Sequence, residues 1–317
     1  MNGTLESLPP FGLSAIWKVL TTFDQGPWVV ATLVVEVLAL GWYGRSVMLL
    51  KKRGHRWSRG RTASAVGAFA AFLLAFQSGI PVYAGSIFTV HVIQHLDLMI
   101  GAPILLALSA PVTLAMQTLD KSKKTTILKI LKSKPFRFVA NPVVAIVGNN
   151  GIMFWFFLGR GIDWAMPRPM AMDFVNCVFL VFGALAWWPI VSPDYIGRRR
   201  YAHPIRVLLG VSGMPFDAFL AIALLPGGAT VSIAPKMYSL GSVQAGAAVF
   251  WIAIMMLSGL GLVIPLVQWM KSERRKDVRG DQMIESSKQV KATSSKGWWD
   301  ETTEIDKDGF MTVPWSK

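Results

Sequence analysis

The chain has 317 residues, 53% of them hydrophobic and only 16% charged, with a formal net charge of +14. That balance excludes an ordinary soluble domain and describes a polytopic membrane protein. In that setting the positive excess marks cytoplasmic loops rather than a nucleic-acid surface, and a single cysteine, Cys177, excludes an intrachain disulfide.

The first 25 residues contain Glu6 and Asp24 and no basic segment followed by an apolar run, so no cleavable signal peptide is expected. Residues 1–26 read as an extracytoplasmic segment. Its stretch 8–23 is too short and broken to span, and suits an amphipathic helix on the interface. A crossing needs about 20 mostly apolar residues. Seven stretches meet that need, at 27–50, 63–82, 86–116, 139–158, 172–191, 206–225 and 243–270. The third is too long for one straight crossing, and Pro103 and Pro111 predict a kink or an end within it. Residues 271–317 turn polar, basic at first and acidic through 300–308, and read as a flexible cytoplasmic tail. Trp298 and Trp299 form a docking candidate in that tail. The expected fold class is an all-α, seven-helix transmembrane bundle over 27–270 with a non-spanning segment at each end. No internal repeat is evident.

The loops orient this bundle. Arg45, Lys51, Lys52, Arg53, Arg56, Arg59 and Arg61 follow the first crossing. Seven more basic residues, from Lys121 to Arg137, follow the third, and Arg198, Arg199 and Arg200 follow the fifth. The alternate loops hold few. The positive-inside rule then places the N-terminus outside and the C-terminus in the cytoplasm of a plasma (inner) membrane.

Two of the four histidines, His91 and His95, lie inside the third stretch. Helical rise places them roughly 8 and 14 Å below the outer surface. The i, i+4 spacing puts both rings on one face, which Met99 continues. Two imidazoles and a thioether suit copper, above all Cu(I). The same pair also suits plain hydrogen bonding to neighbouring helices. Haem is disfavoured, because two rings leaving one face of one helix cannot flank one iron. Glu36, Asp97, Asp173, Asn176 and Asp217 also fall within apolar stretches, and an ionisable residue there marks a functional-site candidate. Asn149, Asn150 and Gln244 read as interhelical contacts. Met166, Met170 and Met172 form a small cluster in the loop "MPRPMAM". His55 and His203 read as solvated loop residues. No phosphate loop or nucleophile elbow is present, so no enzyme activity is expected.

The segment "FTVHVIQHLDLMIGAPILLALSAPVTLAMQ", followed by "NPVVA" at 141–145 and "GALAWWPIVSP" at 183–193, resembles the CtaG-like family of seven-span cytochrome c oxidase assembly factors. The resemblance covers roughly residues 30–270. It implies a role in maturing a haem–copper respiratory oxidase, with the bilayer and an oxidase subunit as partners and copper handled on the outer face. His91 and His95 match the family's histidine pair. A second family pair falls on Met172 and Asn176, a further histidine on Phe157, and an Asp-Gln pair on Val243 and Gln244. The resemblance thus implies Cu(I) at His91 and His95, with Met99 or Met172 as third ligand. The alternative is a structural or accessory subunit of a membrane complex that has lost metal binding.

Overall fold

A computed structural model describes residues 27–192, 201–225 and 238–295, together with Gly12, Asp194 and the pairs 304–305 and 311–312. The expected interfacial helix at 8–23, the Arg198–Arg200 loop and Trp298 and Trp299 lie outside the described residues. The chain forms two compact units, Met1–Leu266 and Val267–Lys317.

Helix α1 is Pro27–Lys52, and α2 is Arg59–Phe72, which runs on into a π turn, Leu73–Gln77. The short α3, Ile80–Ala84, precedes α4, Phe88–Leu96; a second π turn, Asp97–Gly101, joins α4 to α5, Ala102–Leu108. Then come α6 (Pro111–Thr118), α7 (Lys121–Lys132), α8 (Lys134–Val139), α9 (Pro142–Phe157) and α10 (Gly161–Ala165). The remaining helices are α11 (Pro169–Val191), α12 (His203–Ser212), α13 (Met214–Leu224) and α14 (Leu240–Ser295). In the second unit β1 (Glu304–Ile305) pairs antiparallel with β2 (Met311–Thr312).

Among the described residues, five helical stretches are long and apolar enough to cross a membrane: Val29–Lys52, Phe88–Thr118, Pro169–Val191, His203–Leu224 and Leu240–Lys291. The expected crossings at 63–82 and 139–158 differ. The first is helical over 59–77 and then broken at Ser78 and Gly79, and the second is the 16-residue apolar helix α9. Val34, Leu38, Val143, Val147, Phe219 and Leu260 are each at least half exposed. So much outward apolar surface calls for hydrocarbon as solvent. The core of the first unit lies between α4, α9, α11, α13 and the start of α14, with Phe88, Phe156, Phe157, Phe179 and Phe250 almost fully buried.

The family-like motifs have local structural reasons. In "NPVVA", Asn141 caps α9 by accepting from the Val143 amide at 3.1 Å, and Pro142 sits in the first turn, where its missing N–H is harmless. Pro103 does not end its helix as a mid-helix proline would. The π turn inserted before it delivers Pro103 to the first turn of α5. The chain does break at Ala110, which is left-handed (φ 54°) just before Pro111. There the Asp194 carboxylate accepts from the amides of Val112 (2.9 Å) and Thr113 (3.0 Å) and from the Thr113 hydroxyl. Ser192 donates to the Ala107 carbonyl at 2.8 Å. "SAPVT" and "VSPD" are thus one joint. Gly183 permits a second close approach, since a Cβ there would stand 2.4 Å from the Met99 carbonyl oxygen. Arg206, fully buried, donates through Nε to the Ile190 carbonyl at 2.7 Å and so satisfies the end of α11.

Residues 271–295, expected to be flexible, continue α14 instead. The segment is rich in Lys, Arg, Glu and Gln, contains no proline, and carries a Glu273–Lys276 pair at 2.8 Å.

Candidate functional site

Helix α4 carries His91 and His95 one turn apart, and α9, α11 and α14 close over them. Each histidine is 1% exposed. Their Nε2 atoms face each other at 2.9 Å, and the ring centroids are 4.5 Å apart. Phe156 stacks flat on His91 at 5.6 Å and meets His95 edge-on at 4.8 Å. Phe179 lies 4.6 Å from His95, and Phe88 and Phe157 complete the aromatic wall.

The hydrogen bonds set the protonation of the pair. Tyr238 donates its hydroxyl proton to the Ala84 carbonyl at 2.7 Å. Its oxygen, 3.3 Å from His91 Nδ1, is then an acceptor, so His91 carries its proton on Nδ1. His91 Nε2 therefore offers a lone pair toward His95. His95 donates from Nε2 into it, which leaves His95 Nδ1 as an acceptor, and that buried atom has no partner. Burial pushes the Tyr238 hydroxyl pKa above its ordinary value, so it stays a donor. A metal-binding histidine is held in the same way, with one nitrogen fixed by an outer hydrogen bond and the other lone pair aimed at the ion.

The residues fit Cu(I) as a small donor set. They are two uncharged imidazoles in an apolar cage. Two nitrogens each about 2.0 Å from one ion stand about 3.3 Å apart in a tetrahedral site and about 4 Å apart in a linear two-donor one, so the rings, now 2.9 Å apart at Nε2, must part to admit the ion. Met166 Sδ is 3.8 Å from the Tyr238 hydroxyl. Among the described residues no group of three or more His, Cys, Asp or Glu comes together.

The other sequence candidates distribute elsewhere. Met99, 1% exposed, lines a cavity of about 40 Å3 with Asn149, Asn150 and Asp217, and neither histidine lines it. The π turn that begins at Asp97 under-winds the helix and takes Met99 off the histidine line. Asp217 is 8% exposed, and both it and Asn150 lie beside Gly213. Met172 packs on the core from α11, Asn176 is 2% exposed with an unpartnered Oδ1, and Asp173 is half-buried beside them. Asp97 lies in its π turn with Oδ1 against Gly101. Glu36 accepts from Gln77 Nε2 at 3.0 Å, away from the pair.

Tyr238 is the residue that sequence reasoning missed. It is 147 residues from His91, two residues before α14, and no local pattern announces it. The positions where the family pattern expects further histidine or acid surround the same centre. Phe157 is 5.7 Å from His95, and Val243 is fully buried beside Ser242, whose hydroxyl accepts from the Phe88 amide at 3.1 Å.

Residues 41–272 match the model of the cytochrome c oxidase caa3 assembly factor family (Caa3_CtaG). Uncharacterised proteins of Mycobacterium bovis and Mycobacterium tuberculosis are each 29% identical over 266 residues, covering 79% of this chain and 40% of their own length. An uncharacterised protein of Mycobacterium leprae is 27% identical over 268 residues with the same coverage. The chain therefore spans about two-fifths of the curated relatives it matches. No solved structure matches it. By the family match over its membrane region and the structure of the motifs within it, the chain belongs to the cytochrome c oxidase caa3 assembly factor family.

Proposed function

We propose that this membrane protein helps to mature a haem–copper oxidase by holding Cu(I) in passing between His91 and His95, on the extracytoplasmic side of the plasma membrane. Copper is cargo in this reading, and the role is non-catalytic. The observation that carries it is the Tyr238 hydroxyl at His91 Nδ1, which turns the His91 Nε2 lone pair inward; an ion takes that lone pair when His95 shifts its proton from Nε2 to its unpartnered Nδ1. Met166 beside Tyr238, and Met172 on the face of α11 that brings Phe179 to His95, are the thioethers best placed to assist. Met99 is turned toward a different cavity. The alternation of basic loops supports seven crossings with the N-terminus outside, α2 and α9 supplying the two short ones.

A second reading, a metal-free accessory subunit, draws on Phe157 and Val243, apolar residues at two positions where the family pattern expects ligands. The two readings separate in cells of the native host lacking this chain. The copper reading expects the purified oxidase to be copper-poor, and expects wild type to restore it while His91→Ala does not. Full restoration by His91→Ala would leave the accessory role.

A further inference from the structure

α1 is the least enclosed of the long apolar helices. Between it, α2, the α5–α6 junction and α11 runs a groove of about 570 Å3. Val35, Ala39 and Leu40 of α1, Phe69 and Phe72 of α2 and Leu180 of α11 supply its apolar walls. From Ala31 to Tyr43 the groove follows α1 for about 18 Å.

Its polar groups are satisfied at one end and not at the other. Tyr43 donates to the Ser109 carbonyl at 2.8 Å and accepts from Trp57 Nε1 at 3.1 Å. Ser109 donates to the Leu106 carbonyl at 2.7 Å. Toward the other end, Gln77 uses Nε2 to reach both Glu36 Oε1 and Thr32 Oγ1, each at 3.0 Å. That leaves Glu36 Oε2 and Gln77 Oε1, both buried and without a partner. Gln77 is 5% exposed, and Glu36 lines the groove itself. Orphaned polar atoms in hydrocarbon are costly, and a carboxylate charge there is costlier, so Glu36 is neutral; with its proton on Oε2 it donates while Gln77 Oε1 accepts, and the pair asks for a ligand group that accepts and donates at once. A neutral hydroxyl does both, whereas a carbonyl only accepts and a cation is expensive at this depth.

We propose that this groove binds an amphipath with a neutral hydroxyl head and one long apolar tail. The hydroxyl sits at Glu36 and Gln77, and the first half of the tail runs along α1 and α2 over about 10 Å to Tyr43, the rest lying in the bilayer beyond the groove. Size favours a chain over a partner helix. At about 570 Å3 the groove lies within the range of small-ligand sites.

The test uses the full chain in nanodiscs with hexadecanol carrying a diazirine on its tail, and the methyl ether of the same probe. Crosslinks are mapped by mass spectrometry. The alcohol should label α1 and α2 about tenfold more than the ether, the worth of its head-group hydrogen bonds. Unlabelled hexadecanol should compete. Glu36→Leu should remove the preference, and Glu36→Gln, whose amide still donates and accepts, should keep it. Equal labelling by alcohol and ether in wild type would overturn the proposal, showing a groove filled by acyl chains without recognition. So would a preference that survives in Glu36→Leu. If Glu36→Leu fails to fold, the wild-type ratio still decides.

Discussion

Tyr238 fixes His91. Its hydroxyl gives its proton to Ala84 at 2.7 Å and receives the Nδ1 proton of His91 at 3.3 Å. Removing the oxygen frees the ring to change tautomer without emptying the aromatic cage. Tyr238→Phe should therefore keep the fold and weaken Cu(I) binding by about tenfold or more, as loss of an outer-sphere partner usually does. Competition against a Cu(I) chelator measures this, and an unchanged affinity would remove Tyr238 from the account.

Asp194 caps α6 across 81 residues through two amides and the Thr113 hydroxyl. Asp194→Ala should destabilise the protein by about 1–2 kcal/mol, the usual worth of an N-cap. Asp194→Asn should lose less, since its amide oxygen still accepts. Melting temperatures in one detergent decide; an alanine variant as stable as wild type would show that the joint carries no load.

Gly183 lets α11 touch the backbone of Met99. An added methyl would meet a carbonyl, which cannot swing aside as a side chain can. Gly183→Ala should cost roughly 1–3 kcal/mol. Trimming Met99 to Ala should not rescue it, because the obstacle is main chain. Rescue by that second change would place the contact on the side chain instead.

The orientation rests on loop charge. On a Cys177→Ala background, an impermeant maleimide added outside intact cells should reach Met170→Cys, a residue 77% exposed, and should miss Ser58→Cys. The reverse labelling would invert the membrane topology and move the histidine pair to the cytoplasmic side.

Short-range features were legible in the sequence. The i, i+4 spacing placed His91 and His95 on one face, and the apolar run over 139–158 contains α9. Rules that look only at neighbours failed where a distant or compensating group acts. Pro103 was read as a kink or an end, and the π turn before it supplies one extra residue so that the helix does not end there. Met99 was aligned with the histidines by ideal helical period, and the same π turn redirects it. The charges after Lys271 suggested a loose tail, yet good helix formers extend α14 to Ser295. Tyr238 and Asp194 act over 147 and 81 residues, separations at which one sequence carries no pairing signal.

The most direct test of the central claim is copper per chain, measured on purified protein after reconstitution with Cu(I) under reducing conditions and removal of loose metal. The account predicts about one Cu(I) per wild-type chain, since one pair of facing nitrogens serves one ion. It predicts near-complete loss in His91→Ala and in His95→Ala, and retention in Met99→Leu. Wild-type protein that stays copper-free, with both alanine variants lowered in melting temperature, would contradict it and make the pair a structural contact.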